Sequence, residues 1–220
     1  VEIDFAAWDR EMEMVVDKYH GNVVKLYPEG LGGGNQDNRH PAQICGVKRG
    51  DPRYERIMKE YLEKFVLHLR EKGWLEYAFV YWFDEPQGQD YDFVSQGMAT
   101  LKKYAPELRR MITNICIGEL MDGVDMWCPL VQHLHVPMER VCRQRGDEMW
   151  WYICCSPREA PVGEHIDHPG TDMRVWSWQN WGENVTGSLV WVVDWWSGKT
   201  RYPDLANPQD PYLDPMSWGK

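Results

Sequence analysis

The 220-residue chain lacks a long hydrophobic run and any excess of basic residues. Its mean hydropathy is −0.59, and no apolar segment approaches the ~20 residues needed to span a bilayer. Lysine and arginine total 24 against 34 aspartates and glutamates, which gives a formal net charge of −10. Because phosphate backbones are bound by clustered lysine and arginine, this balance argues against a nucleic-acid partner. We therefore expect neither membrane insertion nor nucleic-acid binding.

Several motifs that identify common enzyme and metal-binding classes are also absent. The glycine-rich segment GLGGG after Tyr27 lacks the GxGxxG spacing of dinucleotide-binding proteins, and no P-loop occurs. The six cysteines form no CxxC pattern, so most are expected to be buried thiols. His133 and His135 would share one face of a strand, but the sequence offers no evident third metal ligand. A metal site is therefore not predicted.

Tryptophan, by contrast, is abundant. The chain has 13 tryptophans, and eight of them fall between Trp150 and Trp196. An indole offers a flat apolar face and one N–H donor, which suits the face and hydroxyl rim of a sugar ring. A tryptophan-rich core is the simpler explanation for most of them. We expect a few to line a carbohydrate-binding pocket.

Hydrophobic periodicity predicts helices that alternate with strands. The predicted helices cover residues 5–20, 52–72, 90–104, 137–148 and 172–185. The main predicted strands cover residues 22–28, 75–83, 109–115, 150–155 and 188–196. Such alternation indicates βαβ units and a parallel sheet.

The predicted fold is an α/β protein with a (β/α)8 barrel of the TIM type. Most predicted strands end in polar or aromatic residues, and barrel active sites lie at the carboxyl ends of the strands. About five or six strands are evident, whereas an eight-stranded barrel usually takes ~250 residues, so a truncated or irregular barrel is expected. Residues 1–200 are assigned to the barrel catalytic domain, and residues 201–220 to a C-terminal loop.

The adjacent acids Asp84 and Glu85 end the apolar run LEYAFVYWF and precede Pro86. Glycoside hydrolysis usually employs two carboxylates, one of them as general acid. A two-carboxylate site places its acids on opposite sides of the anomeric carbon, whereas neighbouring residues sit on the same side of the sugar. The pair therefore favours a substrate-assisted mechanism, in which the 2-acetamido oxygen is the nucleophile. Asp84 would orient the acetamido N–H, and Glu85 would act as acid and then as base.

Four segments resemble glycoside hydrolase family 123, the β-N-acetylgalactosaminidases. YWFDEP at 81–86 is similar to the catalytic segment of the family. The segments that begin at Met149, Met173 and Val185 resemble, in order, its W-Y-x-C-C, R-x-x-x-W-Q and G-x-L-x-W-x-x-x-x-W segments. The resemblance covers roughly residues 50–200, and the ordered set is much more specific than the dipeptide of acids alone.

The resemblance implies a (β/α)8-type barrel that removes a β-linked N-acetylhexosamine, with N-acetylgalactosamine favoured, from a glycan or glycolipid. The implied mechanism is retaining and substrate-assisted, and it needs no metal or organic cofactor. Asp84 and Glu85 match the catalytic pair of the family. The candidate substrate-binding residues are Tyr152, Trp178, Trp191, Trp195, Asp194, Trp82, Asn114 and His40. Asp194 departs from the family pattern, because it adds a third acid to the last predicted strand.

Two other functions stay open from the sequence. A glycosidase that acts on a sugar without an acetamido group would need a distant second carboxylate, for which Asp194 is the candidate. A carbohydrate-binding or structural fragment without catalytic activity is compatible with the short length. Hydrolysis of plain galactosides would identify the first, and sugar binding without turnover the second.

Overall fold

The structure is a computed structural model that describes residues 1–35, 37–134, 136–154 and 169–191. Contacts between Cα atoms divide the chain into two compact units. The first unit contains residues 1–127 and 135–147, and the second contains residues 128–134 and 148–220. The helices are α1 (Ala6–Met12), α2 (Pro52–Glu71), α3 (Tyr91–Tyr104), α4 (Val136–Arg145) and α5 (Gly170–Gly182). The strands are β1 (Val24–Leu26), β2 (Gly33–Gly34), β3 (Arg39–His40), β4 (Gln43–Ile44), β5 (Val47–Lys48), β6 (Ala78–Val80), β7 (Arg109–Ile112), β8 (Met126–Trp127), β9 (Glu148–Tyr152) and β10 (Gly187–Leu189).

The first unit is built on four parallel strands in the order β1, β6, β7 and β8. Lys25 lies opposite Phe79, Phe79 opposite Arg109, and Met111 opposite Met126. All three residues of β6 are buried, as expected for a strand covered on both faces of a parallel sheet. Helix α2 connects β1 to β6 in the chain, and α3 connects β6 to β7. This arrangement places the segment after β6 at the carboxyl edge of the sheet.

The second unit contains one parallel strand pair joined through a helix. Trp150 of β9 lies opposite Gly187 of β10, and α5 lies between these strands in the chain. Trp151 meets Trp176 of α5 edge to face, with ring centroids 6.3 Å apart. Part of the tryptophan-rich segment therefore forms a core.

The parallel α/β fold predicted from the sequence is confirmed, but a complete eight-stranded barrel is not. The described residues contain six strands in parallel pairing, four in the first unit and two in the second, beside two short antiparallel pairs. His133 lies in a 3-10 turn, Val131–His133, so the prediction that it occupies a strand face was wrong, and His135 lies outside the described residues. The His133 N–H donates to the carbonyl of Leu130 at 2.8 Å, which closes this turn.

Other element boundaries differ from the predictions. The apolar run 75–83 begins with a 3-10 turn, Leu75–Tyr77, and only its centre forms β6. The helix predicted over residues 5–20 continues beyond α1 as a π-helix, Glu13–Lys18. Of the last predicted strand, only the beginning falls within the described residues, as part of β10. Of the described cysteines, Cys116, Cys128 and Cys142 are buried, as expected for most of the thiols, whereas Cys45 is exposed.

Trp82 packs on the face of the sheet that α3 covers. Its indole contacts Phe93 of α3, with ring centroids 5.7 Å apart, and Trp82 is only 2% exposed. A Cβ atom added to Gly97 of α3 would lie 2.5 Å from Cη2 of this indole. Gly97 therefore provides the space that the indole occupies.

We expect Gly97→Ala to lower the free energy of unfolding. Alanine favours a helix over glycine by about 1 kcal/mol, but overpacking against a rigid indole costs typically about 1–3 kcal/mol. The matched control is Gly182→Ala at the end of α5, where an added Cβ atom meets nothing within 4 Å. Urea denaturation should show a loss for Gly97→Ala and no loss for the control. Equal stability of the two variants would contradict the packing of Trp82 described above.

Candidate functional site

The segment after β6, residues 81–86, runs beside the loop that follows β1. The Tyr81 N–H donates to the carbonyl of Leu26 at 3.2 Å, and the Asp84 N–H donates to the carbonyl of Gly34 at 2.9 Å. Phe83 and Gly34 form an isolated parallel bridge. These bonds fix the backbone that carries Asp84 and Glu85 at the carboxyl edge of the sheet.

The glycines of the GLGGG segment allow this close approach. A Cβ atom on Gly33 would lie 3.1 Å from the carbonyl oxygen of Trp82 and would overlap the Tyr27 hydroxyl. Gly33 and Gly34 have φ angles of +156° and +129°, a region that side chains rarely tolerate. In the sequence this segment was noted only because it lacks the spacing of a dinucleotide-binding motif. Its glycines in fact support the segment that bears the two acids.

Two buried hydroxyl groups orient the carboxylate of Asp84. Tyr81 donates a hydrogen bond to Oδ1 of Asp84, and Oγ1 of Thr113 donates to the same oxygen at 2.9 Å. Thr113 follows β7 and is 4% exposed, whereas Asp84 itself is exposed. Oδ2 of Asp84 accepts no hydrogen bond from the described residues. The carboxylate is therefore held on one side and available on the other.

Glu85 has a backbone conformation that is unusual for its residue type. Its φ angle is +44°, in the left-handed region, and the following Pro86 further restricts the residue before it. The N–H of Glu85 donates to Oγ1 of Thr113 at 2.7 Å, and Nδ2 of Asn114 donates to the carbonyl of Pro86 at 2.8 Å. Such strain costs on the order of 1–3 kcal/mol and is concentrated at functional sites.

Lys25 of β1 is part of this site, although the sequence did not single it out. Its Nζ lies 4.5 Å from the centroid of the Tyr81 ring. Burial lowers the pKa of the Lys25 ammonium, and the charge of Asp84 opposes that shift. Side chains alternate along a strand, but this alternation places Lys25 and Tyr81 on the same face only when the pairing of β1 with β6 is known. The sequence does not give that pairing.

Arg39 ties the β2–β3 hairpin to the segment that follows Pro86. Its guanidinium forms an ion pair with Asp90 and donates to the carbonyl of Gln89 at 2.8 Å. Asp90 is 3% exposed, and its other oxygen accepts from the N–H of Gln87 at 3.0 Å. The ion pair therefore connects the hairpin to the C-terminal end of the loop that bears the acids.

The other predicted site residues fall into three groups. In the first unit, Trp82 lies in the core, Asn114 holds the Pro86 carbonyl, and His40 is exposed on β3 with its backbone paired to Gly33. In the second unit, Tyr152 is buried at the end of β9, whereas Trp178 and Trp191 are 73% and 41% exposed. Asp194 and Trp195 lie outside the described residues. The substrate-binding roles of all these residues stay predictions.

Within the described ranges, no group of three or more His, Cys, Asp or Glu side chains is arranged to hold a metal ion. None of the described helices is long and apolar enough to cross a membrane.

The chain resembles known proteins in both sequence and structure. The model of the catalytic domain of glycoside hydrolase 123 matches residues 33–217. Among solved structures, the chain is similar to a family 123 glycoside hydrolase from Clostridium perfringens that was analysed for glycolipid glycan hydrolysis. The TM-score is 0.59 and the sequence identity is 17%, over 89% of this chain and 36% of that protein. At this identity the structural likeness shows the fold alone. A sequence comparison with curated proteins finds no match.

Proposed function

The chain belongs to the glycoside hydrolase 123 family, and on that premise we propose that it hydrolyses a β-linked N-acetylhexosamine, with N-acetylgalactosamine favoured. The substrate is a glycan or a glycolipid. The mechanism is retaining and substrate-assisted, with Glu85 as acid and base and Asp84 as the residue that orients the acetamido group. The match covers 36% of the length of the similar solved protein. The activity of the whole protein is therefore part of this proposal.

The observation that carries the proposal is the one-sided hydrogen bonding of Asp84. Tyr81 and Thr113 both donate to Oδ1, so the carboxylate is oriented while Oδ2 stays available to accept an N–H from the substrate. An acetamido N–H is such a donor. Its acceptance by a carboxylate increases the electron density on the amide oxygen, which is the proposed nucleophile.

The reaction follows in two steps. The acetamido oxygen forms a bond to the anomeric carbon as the bond to the leaving oxygen breaks, and Glu85 gives its proton to that oxygen. Asp84 stabilises the positive charge of the resulting oxazolinium. A water molecule then gives its proton to Glu85 and attacks the anomeric carbon from the opposite side, which opens the ring and restores the acetamido group. Two inversions give net retention.

The conformation of Glu85 supports its assignment as acid and base. A positive φ angle turns the residue away from the extended direction of the strand, and the Glu85 N–H is bonded to Thr113. Adjacent residues of an extended strand point to opposite faces, so the turn at Glu85 is what allows both acids to serve one sugar. Thr113 contacts both residues and links their positions.

The first test is a comparison of three 4-nitrophenyl β-glycosides: the N-acetylgalactosaminide, the N-acetylglucosaminide and the plain galactoside. We expect release of nitrophenol from the acetamido sugars only, with the N-acetylgalactosaminide preferred, and inhibition by a thiazoline mimic of the oxazoline intermediate. Hydrolysis of the plain galactoside without thiazoline inhibition would instead support a glycosidase that uses a distant second carboxylate. Silence of folded protein on all three sugars would contradict the proposed activity of this chain.

A further inference from the structure

Lys25 presents a positive charge on the face of the sheet opposite to the one that α3 covers. It lies on β1 opposite Phe79 of β6, and its Nζ is located over the ring of Tyr81, which follows β6. Trp82, the next residue, packs against α3. Because side chains alternate between the two faces of a strand, Lys25, Tyr81 and the carboxylate that Tyr81 binds belong to one side of the sheet.

The ammonium group of Lys25 has unused hydrogen-bonding capacity. A lysine ammonium has three N–H donors, and among the residues that the structure describes none accepts a hydrogen bond or forms an ion pair with Lys25. Asp84 is close enough for its charge to act on Lys25, but no oxygen of Asp84 lies within ion-pair distance. Oδ1 of Asp84 is already bonded to two hydroxyl groups.

Lys25 is exposed on β1, so a ligand on the side of the sheet that carries Asp84 can reach its ammonium group. A sugar hydroxyl can be bound by neutral donors such as serine or asparagine. The additional property of lysine is its full positive charge, which attracts an anionic oxygen group far more strongly than a hydroxyl.

We propose that Lys25 binds an anionic group of the substrate glycan, a sulfate ester or a sugar carboxylate, on or next to the sugar held by Asp84. This inference rests on the proposed function, because it adds a substrate class to the same site. The ammonium donates hydrogen bonds to the anionic oxygens, and the Tyr81 ring holds the lysine in place beside the acetamido-binding carboxylate.

The test measures binding in a form of the protein that does not turn over. In Glu85→Gln protein, isothermal titration calorimetry compares N-acetylgalactosamine with its 4-sulfate, its 6-sulfate and a disaccharide that joins it to a uronic acid. Inorganic sulfate is titrated as a fifth ligand. The same titrations are made after a second change, Lys25→Met or Lys25→Arg. Lys48→Met is the matched control, because this substitution removes the same charge from the first unit at an exposed position on β5.

We expect at least one anionic sugar to bind at least about tenfold more tightly than N-acetylgalactosamine, because hydrogen bonds between two charged groups are stronger than those to a neutral hydroxyl. Lys25→Met should remove this preference, Lys25→Arg should retain part of it, and Lys48→Met should leave it unchanged. The ligand that shows the preference distinguishes a sulfate from a carboxylate. Three results would overturn the proposal. They are equal binding of neutral and anionic sugars, a preference for anionic sugars that survives Lys25→Met, and binding of inorganic sulfate that is as tight as that of the anionic sugars.

Failure of this inference is distinct from failure of the proposed function. Hydrolysis of the neutral 4-nitrophenyl N-acetylgalactosaminide by the unmodified protein tests the function alone. Turnover of that sugar together with no preference for anionic sugars would reject the role of Lys25 and keep the hydrolase. Absence of both turnover and sugar binding would reject both.

Discussion

Glu85→Gln is expected to lower kcat for the 4-nitrophenyl N-acetylgalactosaminide by at least about 10³-fold, which corresponds to roughly 4 kcal/mol of transition-state stabilisation. General acid–base catalysis by one positioned group contributes typically about 10²–10⁴-fold. Glutamine has nearly the same shape as glutamate, but it cannot give a proton to the leaving oxygen or accept one from water. Because the backbone N–H of Glu85 makes the bond to Thr113, this substitution leaves that bond intact.

A leaving-group comparison separates acid catalysis from a structural effect. A dinitrophenolate leaves without protonation, so the loss caused by Glu85→Gln in the bond-breaking step should be much smaller for a dinitrophenyl glycoside than for a glycoside with an alcohol leaving group. The control is Glu119→Gln on the surface of the same unit, which should stay within about twofold of the unmodified protein. Near-normal hydrolysis of the nitrophenyl glycoside by Glu85→Gln protein would remove Glu85 from its role.

The sequence predicted the position of this acid pair because burial and polarity change sharply at one point in the chain. The apolar run before Asp84 indicated a buried strand, and Pro86 indicated its end. The helices α2 and α3 were predicted to within one residue at their starts and ends, because amphipathic periodicity and the N-terminal Pro52 are local signals. For these helices and for the acid pair, the residues that determine the structure lie in the same stretch of sequence as the structure itself.

The contacts that orient the pair could not be predicted in the same way. Thr113 reaches Asp84 only because β7 pairs with β6 in one register, and Lys25 reaches Tyr81 only because β1 pairs with β6. An apolar run carries information about burial but not about its neighbour or register. The same limit explains why β6 is shorter than predicted. The length of a strand depends on how far the neighbouring strands of the sheet run beside it.

The tryptophans show a second limit. The excess of indoles predicted both core packing and a sugar-binding surface, and helix α5 contains both environments. Trp176 is 6% exposed and donates to Ser188 at 2.7 Å, whereas Trp178 and Trp181 are 73% and 78% exposed. Composition counts indoles but does not assign them to a face, and which of the exposed ones contacts a sugar stays a prediction.

The second large effect is expected for Asp84→Asn, which should lower kcat/KM for the N-acetylgalactosaminide by about 10²–10³-fold. Tyr81 and Thr113 both donate to Oδ1, so the asparagine carbonyl will occupy that position and its NH₂ group will replace Oδ2. An NH₂ group facing the acetamido N–H places donor against donor. The variant also lacks the negative charge that stabilises the oxazolinium, a preorganised electrostatic contribution of several kcal/mol in comparable sites.

The surface change Asp92→Asn in the first turn of α3 is the control, with an expected effect within about twofold. A retained kcat/KM in Asp84→Asn protein would contradict the orienting role of Asp84. So would an equal loss on a plain galactoside, if one were hydrolysed, because that sugar has no N–H for Asp84 to accept.

Coupling to Thr113 tests why Asp84→Asn is harmful. Thr113→Val removes the donor to Oδ1 and the acceptor for the Glu85 N–H, so by itself it should lower kcat/KM by about 10-fold, as expected for loss of hydrogen bonds to a charged group. In Asp84→Asn protein, however, the same change leaves only the Tyr81 hydroxyl of the two groups bonded to that oxygen. Because a tyrosine hydroxyl can also accept a hydrogen bond from an NH₂ group, the amide can then turn its oxygen toward the substrate. The double variant should therefore lose much less than the product of the two single losses. Such non-additivity is expected of residues that act through direct contact, whereas independent losses would show that Thr113 does not set the orientation of Asp84.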